Sequence, residues 1–497
     1  MSLRLTTQVG LLTLSRAAGV VMNAAIGLVV VRHLSAADYG TFRQVYLLYG
    51  TLLLVGDVGL SQSLYYFVPL LPQRRNALVA RVALAVAGIQ IVVGSLLVRF
   101  AHPLGVFLNN PDLPEYMGLL AVFLGLSVFT RTWDDQLIAA GRVPFASIVI
   151  VTFELLKVAL MAGALVLGGG IRLLLWALVA AAAAKAVSYL VFLATDLRFT
   201  GMKVAEVSPR AQVLYALAIF APGVLALLST QAHQYIVGHY YRPEEYALYA
   251  VACFQVPFLG VLSTSIADVF VVKAARLWSA NDVSGLSGLW LATSRKAMMV
   301  FLPVAAGVAV LSKPLIVVLF TARYAAAAPL FAILALSVIM NGLYQDALFR
   351  ACGAMKTYSS FHVSRGLLGV LLGLVGVKLW GLWGAAASVI VALSIVNLLQ
   401  LLVISRLLRT GFRRVLPWND LAKMLFSTVV AGVVSTAAIH GIQVPAAAVA
   451  LGTLIFAVVY GLMLLTLALV KWEEAWAMLR HTRGELREIA GAARQGS

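Results

Sequence analysis

Apolar residues run in blocks from one end of this chain to the other, broken only by short charged or Gly- and Pro-rich stretches. A helix needs roughly 20 such residues to cross a bilayer, and backbone in hydrocarbon must satisfy its own hydrogen bonds. The chain therefore reads as an all-α integral membrane protein. Of its 497 residues, 62% are hydrophobic and 11% charged, against about half and a quarter in a soluble domain. The blocks define fourteen candidate spans, at about 9–31, 45–68, 77–98, 116–140, 145–167, 173–194, 213–238, 249–272, 290–311, 329–351, 361–377, 382–404, 421–440 and 445–470. No sizeable soluble domain fits between them. The first follows Arg4, is long for a signal-peptide core and lacks a small-residue cleavage site, so it is expected to stay uncleaved.

A net charge of +18 raises nucleic acid as a partner, but the basic residues are scattered through short loops and form no single patch. Retention of cationic loops on the inner side of a membrane accounts for them better. With the N-terminus inside, most of the 37 Lys and Arg fall on the cytoplasmic side, among them Arg74, Arg75, Lys273, Arg276, Arg295, Lys296 and the cluster Arg406, Arg409, Arg413 and Arg414. This predicts a multi-pass protein of a bacterial inner membrane with both termini cytoplasmic. Cys253 and Cys352 sit in or beside apolar blocks, which argues against a disulfide scaffold, a CxxC metal site or redox chemistry.

An internal repeat appears when HLSAADYGTF at 33–42 is laid on YYRPEEYALY at 240–249, an offset of 207. A weaker echo sets Gly141 over Gly353. The offset predicts two six-helix lobes of parallel topology, 1–206 and 207–410, followed by two further helices in 411–470 and a cytoplasmic tail, 471–497. Duplicated halves usually enclose a central site. The tail mixes Trp472, Trp476 and Leu479 with Arg480, Arg483 and Arg487, and reads as an amphipathic surface helix or a frayed solvated end.

Three stretches resemble one family. Arg32-His33-Leu34-Ser35-Ala36-Ala37-Asp38-Tyr39-Gly40 is similar to the R-x-L-G-x-x-x-Y-G loop of polysaccharide-biosynthesis flippases, with Ser35 where Gly is usual. Asp57-Val58-Gly59-Leu60 resembles that family's D-x-G-[LI] break. Lys313-Pro314-Leu315-Ile316, with Phe320 and Tyr324, resembles its P-[IL]-[IL] stretch, with Thr321 or Ala322 near the expected Gly. The resemblance implies the Wzx-type branch of the multidrug/oligosaccharidyl-lipid/polysaccharide (MOP) exporters. It also implies a MATE-like, V-shaped pair of lobes, alternating access, and a polyprenyl-pyrophosphate-linked oligosaccharide as cargo. Polymerase or glycosyltransferase machinery would be a partner besides the membrane lipids. No cofactor is implied beyond H+ or Na+ as a coupling ion.

Such a cargo needs cations for its phosphates, and an ionisable group at the bilayer centre costs about 2.5–3.5 kcal/mol unless it faces a cavity or a partner. Arg16, Arg131, Lys157 and Lys185 are the basic residues inside spans, all in the first lobe. They are the candidates for the pyrophosphate, Arg by a bidentate fork and Lys as a movable point charge. Snorkelling of Arg16 to the headgroups is the plainer alternative. Glu154 precedes Lys157 by three, and Asp134 and Asp135 follow Arg131 by three and four, so each set can neutralise itself on one helix face. Asp57 has no local partner in sequence and is the candidate for ion coupling with Glu154, Asp134 and Asp135; a cap at a helix break is the alternative. His233 and Gln234 are candidates for sugar hydroxyls, and His233 for simple packing. Asp346 and Arg350, at i and i+4, are a candidate gate pair. Pro222, Pro257 and Pro303 interrupt spans 7, 8 and 9 as candidate hinges, and Gly369 with Gly373 forms a GxxxG pair.

The competing readings are an organic-cation exporter of the same superfamily, which favours lumenal acids, and a membrane glycosyltransferase or ligase. The longest outer stretch, about 99–115, offers an enzyme only Asp112 and Glu115.

Overall fold

The computed structural model describes residues 5–196, 208–254, 257–340 and 342–469; the expected tail helix lies outside the described residues. The chain opens with α1 (Leu5–His33), α2 (Ala36–Asp57), α3 (Leu60–Leu70), α4 (Arg75–Arg99), α5 (Ala101–Phe107), α6 (Leu113–Ala139), α7 (Val143–Val166) and α8 (Ile171–Asp196). Next come α9 (Pro209–Tyr240), α10 (Pro243–Ala252), α11 (Pro257–Ser279), α12 (Val283–Val310), α13 (Ser312–Phe320), α14 (Ala328–Ala335), α15 (Ser337–Met340) and α16 (Gln345–Ala351). The last three are α17 (Met355–Leu407), α18 (Trp418–Ile439) and α19 (Pro445–Thr466).

No strand occurs among the described residues, and the all-α expectation holds. Eleven helical stretches among the described residues are long and apolar enough to cross a membrane, which makes this a multi-pass membrane protein. One of them, α17, is two helices joined at Trp380 and Gly381, where φ is −133° and 59°. That joint falls between the expected spans 361–377 and 382–404. Helix α9 occupies the stretch expected for span 7, whereas the stretch expected for span 8 is divided between the end of α10 and α11.

Several boundaries differ from the sequence reading, each for a local reason. Span 2 breaks at Val58 and Gly59, both at positive φ (49° and 75°). Asp57 then caps α3 by accepting from the Ser61 N–H at 3.2 Å and from the Ser61 hydroxyl. A β-carbon on Gly59 would lie 2.5 Å from the Ala216 carbonyl oxygen of α9, so only glycine fits the break. Span 10 is in pieces, α14 to α16, where the Ser337 hydroxyl donates to the Leu334 carbonyl at 2.6 Å and so competes with the helix ladder. Of the three prolines, Pro257 alone stands at a break; α9 and α12 continue as helix through positions 222 and 303. Gly373 packs against Ile236 of α9 while Gly369 faces open space, so the GxxxG pair makes no joint seam.

The described chain forms two compact units. The first holds residues up to 264, 319–330 and 355–396; the second holds 265–318, 331–354 and 397 onward. In the first, α1 packs on α7, α4 and α8 on α6, and α2 on α10. Leu64, Leu78, Val82, Leu124 and Val128 form one core cluster. Trp133, Val149 and Tyr189 form another, with Trp133 and Tyr189 stacked at 5.6 Å. The α2–α10 seam joins the two copies of the repeat: Gly40 meets the Pro243 backbone with no room for a β-carbon, and Tyr39 and Tyr246 are both buried. In the second unit α18 packs on α12 and α19. Trp290 Nε1 donates to the Val415 carbonyl at 2.7 Å, and Arg295 pairs with Asp420 at 2.5 Å.

Candidate functional site

The first unit holds a partly open cavity of about 420 Å³ lined from α1, α2, α6, α7 and α8. Its walls follow from helical spacing. On α6 the lining residues Phe123, Ser127, Thr130, Arg131 and Asp134 recur at three- and four-residue steps, as do Phe153, Glu154 and Lys157 on α7. Each set therefore shares one face. On α8 the small side chains of Ala181 and Ala182 leave the space that Lys185 enters one turn on.

Arg16, Arg131, Lys157 and Lys185, singled out separately in the sequence, all line this one cavity, with Asp134, Asp135 and Glu154. Lys157 Nζ lies 2.6 Å from Glu154 Oε2, the pairing expected at i, i+3. The other local neutralisation gives way to a tertiary one. Asp134 pairs across helices with Lys185 Nζ at 2.8 Å, and Asp135 accepts from the Tyr65 hydroxyl at 2.5 Å. The side chains of both ion pairs are between 16% and 29% exposed, so pairing offsets most of the cost of charge at this depth. Arg131 forms no ion pair or hydrogen bond with the described residues, although its charge acts on both aspartates. Arg16 joins the lining from α1. Four cations against three carboxylates leave the lining one positive charge in excess.

Two contributors escaped the sequence reading because they carry no charge. Asn23 donates to Glu154 Oε2 at 2.8 Å; it lies seven residues after Arg16, hence on the same face of α1, and that spacing was the available signal. Tyr65 joins Asp135 only because α3 packs on α6.

The remaining candidates lie elsewhere. Asp57 is 2% exposed and bonded to Ser61, whose hydroxyl is 3.0 Å from that of Thr132; it caps a break and does not line the cavity. His233 and Gln234 are on α9, away from it, and His233 Nδ1 is 2.8 Å from the Tyr249 hydroxyl. That is the packing role. In the second unit Asp346 accepts from Gln400 at 3.0 Å, while Arg350 is exposed. The local i, i+4 gate pair is thus replaced by a contact to α17. The second unit also holds a groove of about 650 Å³, between Leu302 and Val310 of α12 and Val429 and Val433 of α18, that is almost wholly apolar. Among the described residues no group of three His, Cys, Asp or Glu is placed to hold a metal ion.

A family model described as polysaccharide biosynthesis protein matches residues 29–329, a range that includes every charged lining residue except Arg16. No curated protein matches the sequence. The fold is similar to that of the lipid II flippase MurJ in an inward closed conformation, with a TM-score of 0.73 and 12% identity over 92% of this chain and 99% of that one. It is also similar to an inward-facing multidrug resistance MATE family transporter of the MOP superfamily, with a TM-score of 0.59 and 17% identity over 83% of this chain and 97% of that one. A MATE transporter from Vibrio cholerae matches with a TM-score of 0.55 and 14% identity over 82% and 97%. At these identities the likeness is one of fold.

Proposed function

The chain belongs to the polysaccharide biosynthesis protein family, and on that premise we propose that it is a flippase for a polyprenyl-pyrophosphate-linked oligosaccharide. It moves that cargo from the cytoplasmic to the outer leaflet of a bacterial inner membrane by alternating access of two six-helix lobes, 1–206 and 207–410. The observation that carries this reading is the cavity in which Arg16, Arg131, Lys157 and Lys185 converge. An anionic head in a low-dielectric site needs converging cations, and the fork of an arginine such as Arg131, with no ion pair among the described residues, suits phosphate. Phe123, Phe153 and Tyr49 supply apolar faces beside the charges, a mixture that suits a phosphate next to a sugar ring. The groove of the second unit, lined almost wholly by apolar side chains and without Lys or Arg, has the chemistry for hydrocarbon.

An organic-cation exporter is disfavoured by the same charge count, since its lumen would need carboxylates in excess. A transporter, not a glycosyltransferase, fits a lining whose carboxylates are already engaged with Lys157, Lys185 and Tyr65. Coupling to H+ or Na+ is assigned first to Asp57, a buried carboxylate with neutral partners, and after it to Asp134, Asp135 and Glu154. The termini are cytoplasmic by the distribution of Lys and Arg.

The test is the sidedness of lipid-linked oligosaccharide in membranes with and without the protein. Accumulation in the cytoplasmic leaflet without it, reversed by adding it back, is the expected result. Unchanged sidedness together with altered tolerance of organic cations would establish the exporter instead.

A further inference from the structure

The lysines of the cavity are already occupied by carboxylates of the same chain, and this shapes how an anion enters. Lys157 is held by Glu154, which Asn23 on α1 fixes in turn; Lys185 is held by Asp134. Both contacts are charge-assisted and short, the geometry a phosphate oxygen would adopt at the same ammonium groups. From this we propose that Glu154 and Asp134 are internal counter-anions: they stand in for the phosphates while the carrier is empty and are displaced when an anionic head arrives. The inference rests on the flippase reading and assigns these two carboxylates a task distinct from ion coupling.

With all groups ionised, the empty lining of four cations and three carboxylates carries an excess of one. Without Glu154 and Asp134 the excess would be three, in surroundings where each uncompensated charge is costly. An empty carrier must nevertheless reorient to pick up its next cargo. Internal counter-anions keep that return step close to neutral, at the expense of competing with the cargo for Lys157 and Lys185. Asp135 is excluded from this role because it accepts from the Tyr65 hydroxyl and pairs with neither lysine. Arg131, which forms no ion pair or hydrogen bond with the described residues, is the group placed to make first contact with an incoming phosphate.

Competition and return separate in a measurement. In full-length protein in nanodiscs, Glu154→Gln and Asp134→Asn should bind geranyl pyrophosphate about tenfold more tightly than the wild type, since a competitor has been removed. In proteoliposomes their turnover of a fluorescent, short-chain prenyl-pyrophosphate-linked sugar should fall by a similar factor. Binding equal to or weaker than the wild type in both variants would overturn the proposal. Because either variant can fold poorly, the wild type supplies a second readout: geranyl pyrophosphate should shift the carboxylate stretching bands in an infrared difference spectrum, and binding with no shift would overturn it as well. If the wild type does not bind the probe at all, the anion-carrier reading itself falls, and this inference falls with it.

Discussion

Lys185 and Asp134 show how a charge is tolerated at depth in this protein. Their contact at 2.8 Å, with side chains 16% and 19% exposed, means that removing either partner leaves the other uncompensated. Lys185→Ala should therefore lose transport, with an initial rate at least about tenfold lower, and also lose about 1–3 kcal/mol of stability. Lys185→Ala combined with Asp134→Ala should recover most of the melting temperature but not the transport. Recovery of both would show the pair to be structural only. At Asp57 the contrast is sharper. Asp57→Asn keeps one acceptor for the Ser61 N–H and so should fold, while dependence of flipping on the H+ or Na+ gradient disappears. A variant that flips with the gradient dependence of the wild type would remove Asp57 from coupling. These residue types were legible in the sequence, because ionisable groups inside apolar blocks are rare; their partners were not. Asp134 looked paired to Arg131 at i−3, and tertiary packing gives it Lys185 on another helix.

Among the elements, the broken helix of α2 and α3 has the most exacting backbone. Val58 and Gly59 sit at positive φ, and Gly59 lies against the Ala216 carbonyl. Gly59→Ala adds a β-carbon where the backbone is already left-handed and space is absent, so a loss of about 1–3 kcal/mol is expected in thermal unfolding. Gly88→Ala, in α4 with nothing within 4 Å of the new atom, should be neutral or raise stability by up to about 1 kcal/mol. Equal melting temperatures for the two variants would contradict the account of the break. The sequence motif Asp57-Val58-Gly59-Leu60 marked this site, since Asp and Gly are residues of caps and left-handed turns. The pieces of span 10 carried no comparable mark, and Pro222 and Pro303 were misleading, because a membrane helix continues past proline when neighbours satisfy the freed carbonyl.

For the whole molecule, the repeat at 33–42 and 240–249 has a physical consequence. Its two copies pack on one another as α2 and α10, with Gly40 against Pro243. Gly40→Leu should separate that seam and lower both protein level and surface polysaccharide in cells, whereas normal levels of both would show that the contact is dispensable. The sequence alone determined the solvent and the secondary structure: blocks of about 20 apolar residues must be helices in a bilayer, since nothing else satisfies the backbone there. It also determined which side chains were too costly to be there without purpose. Only the tertiary structure decided that Arg16, Arg131, Lys157 and Lys185 face one cavity, that Asp134 answers Lys185, and that His233 faces Tyr249 instead. Spacing along a helix reports which residues share a face, but the partner across the gap is set by how helices far apart in the chain are brought into register.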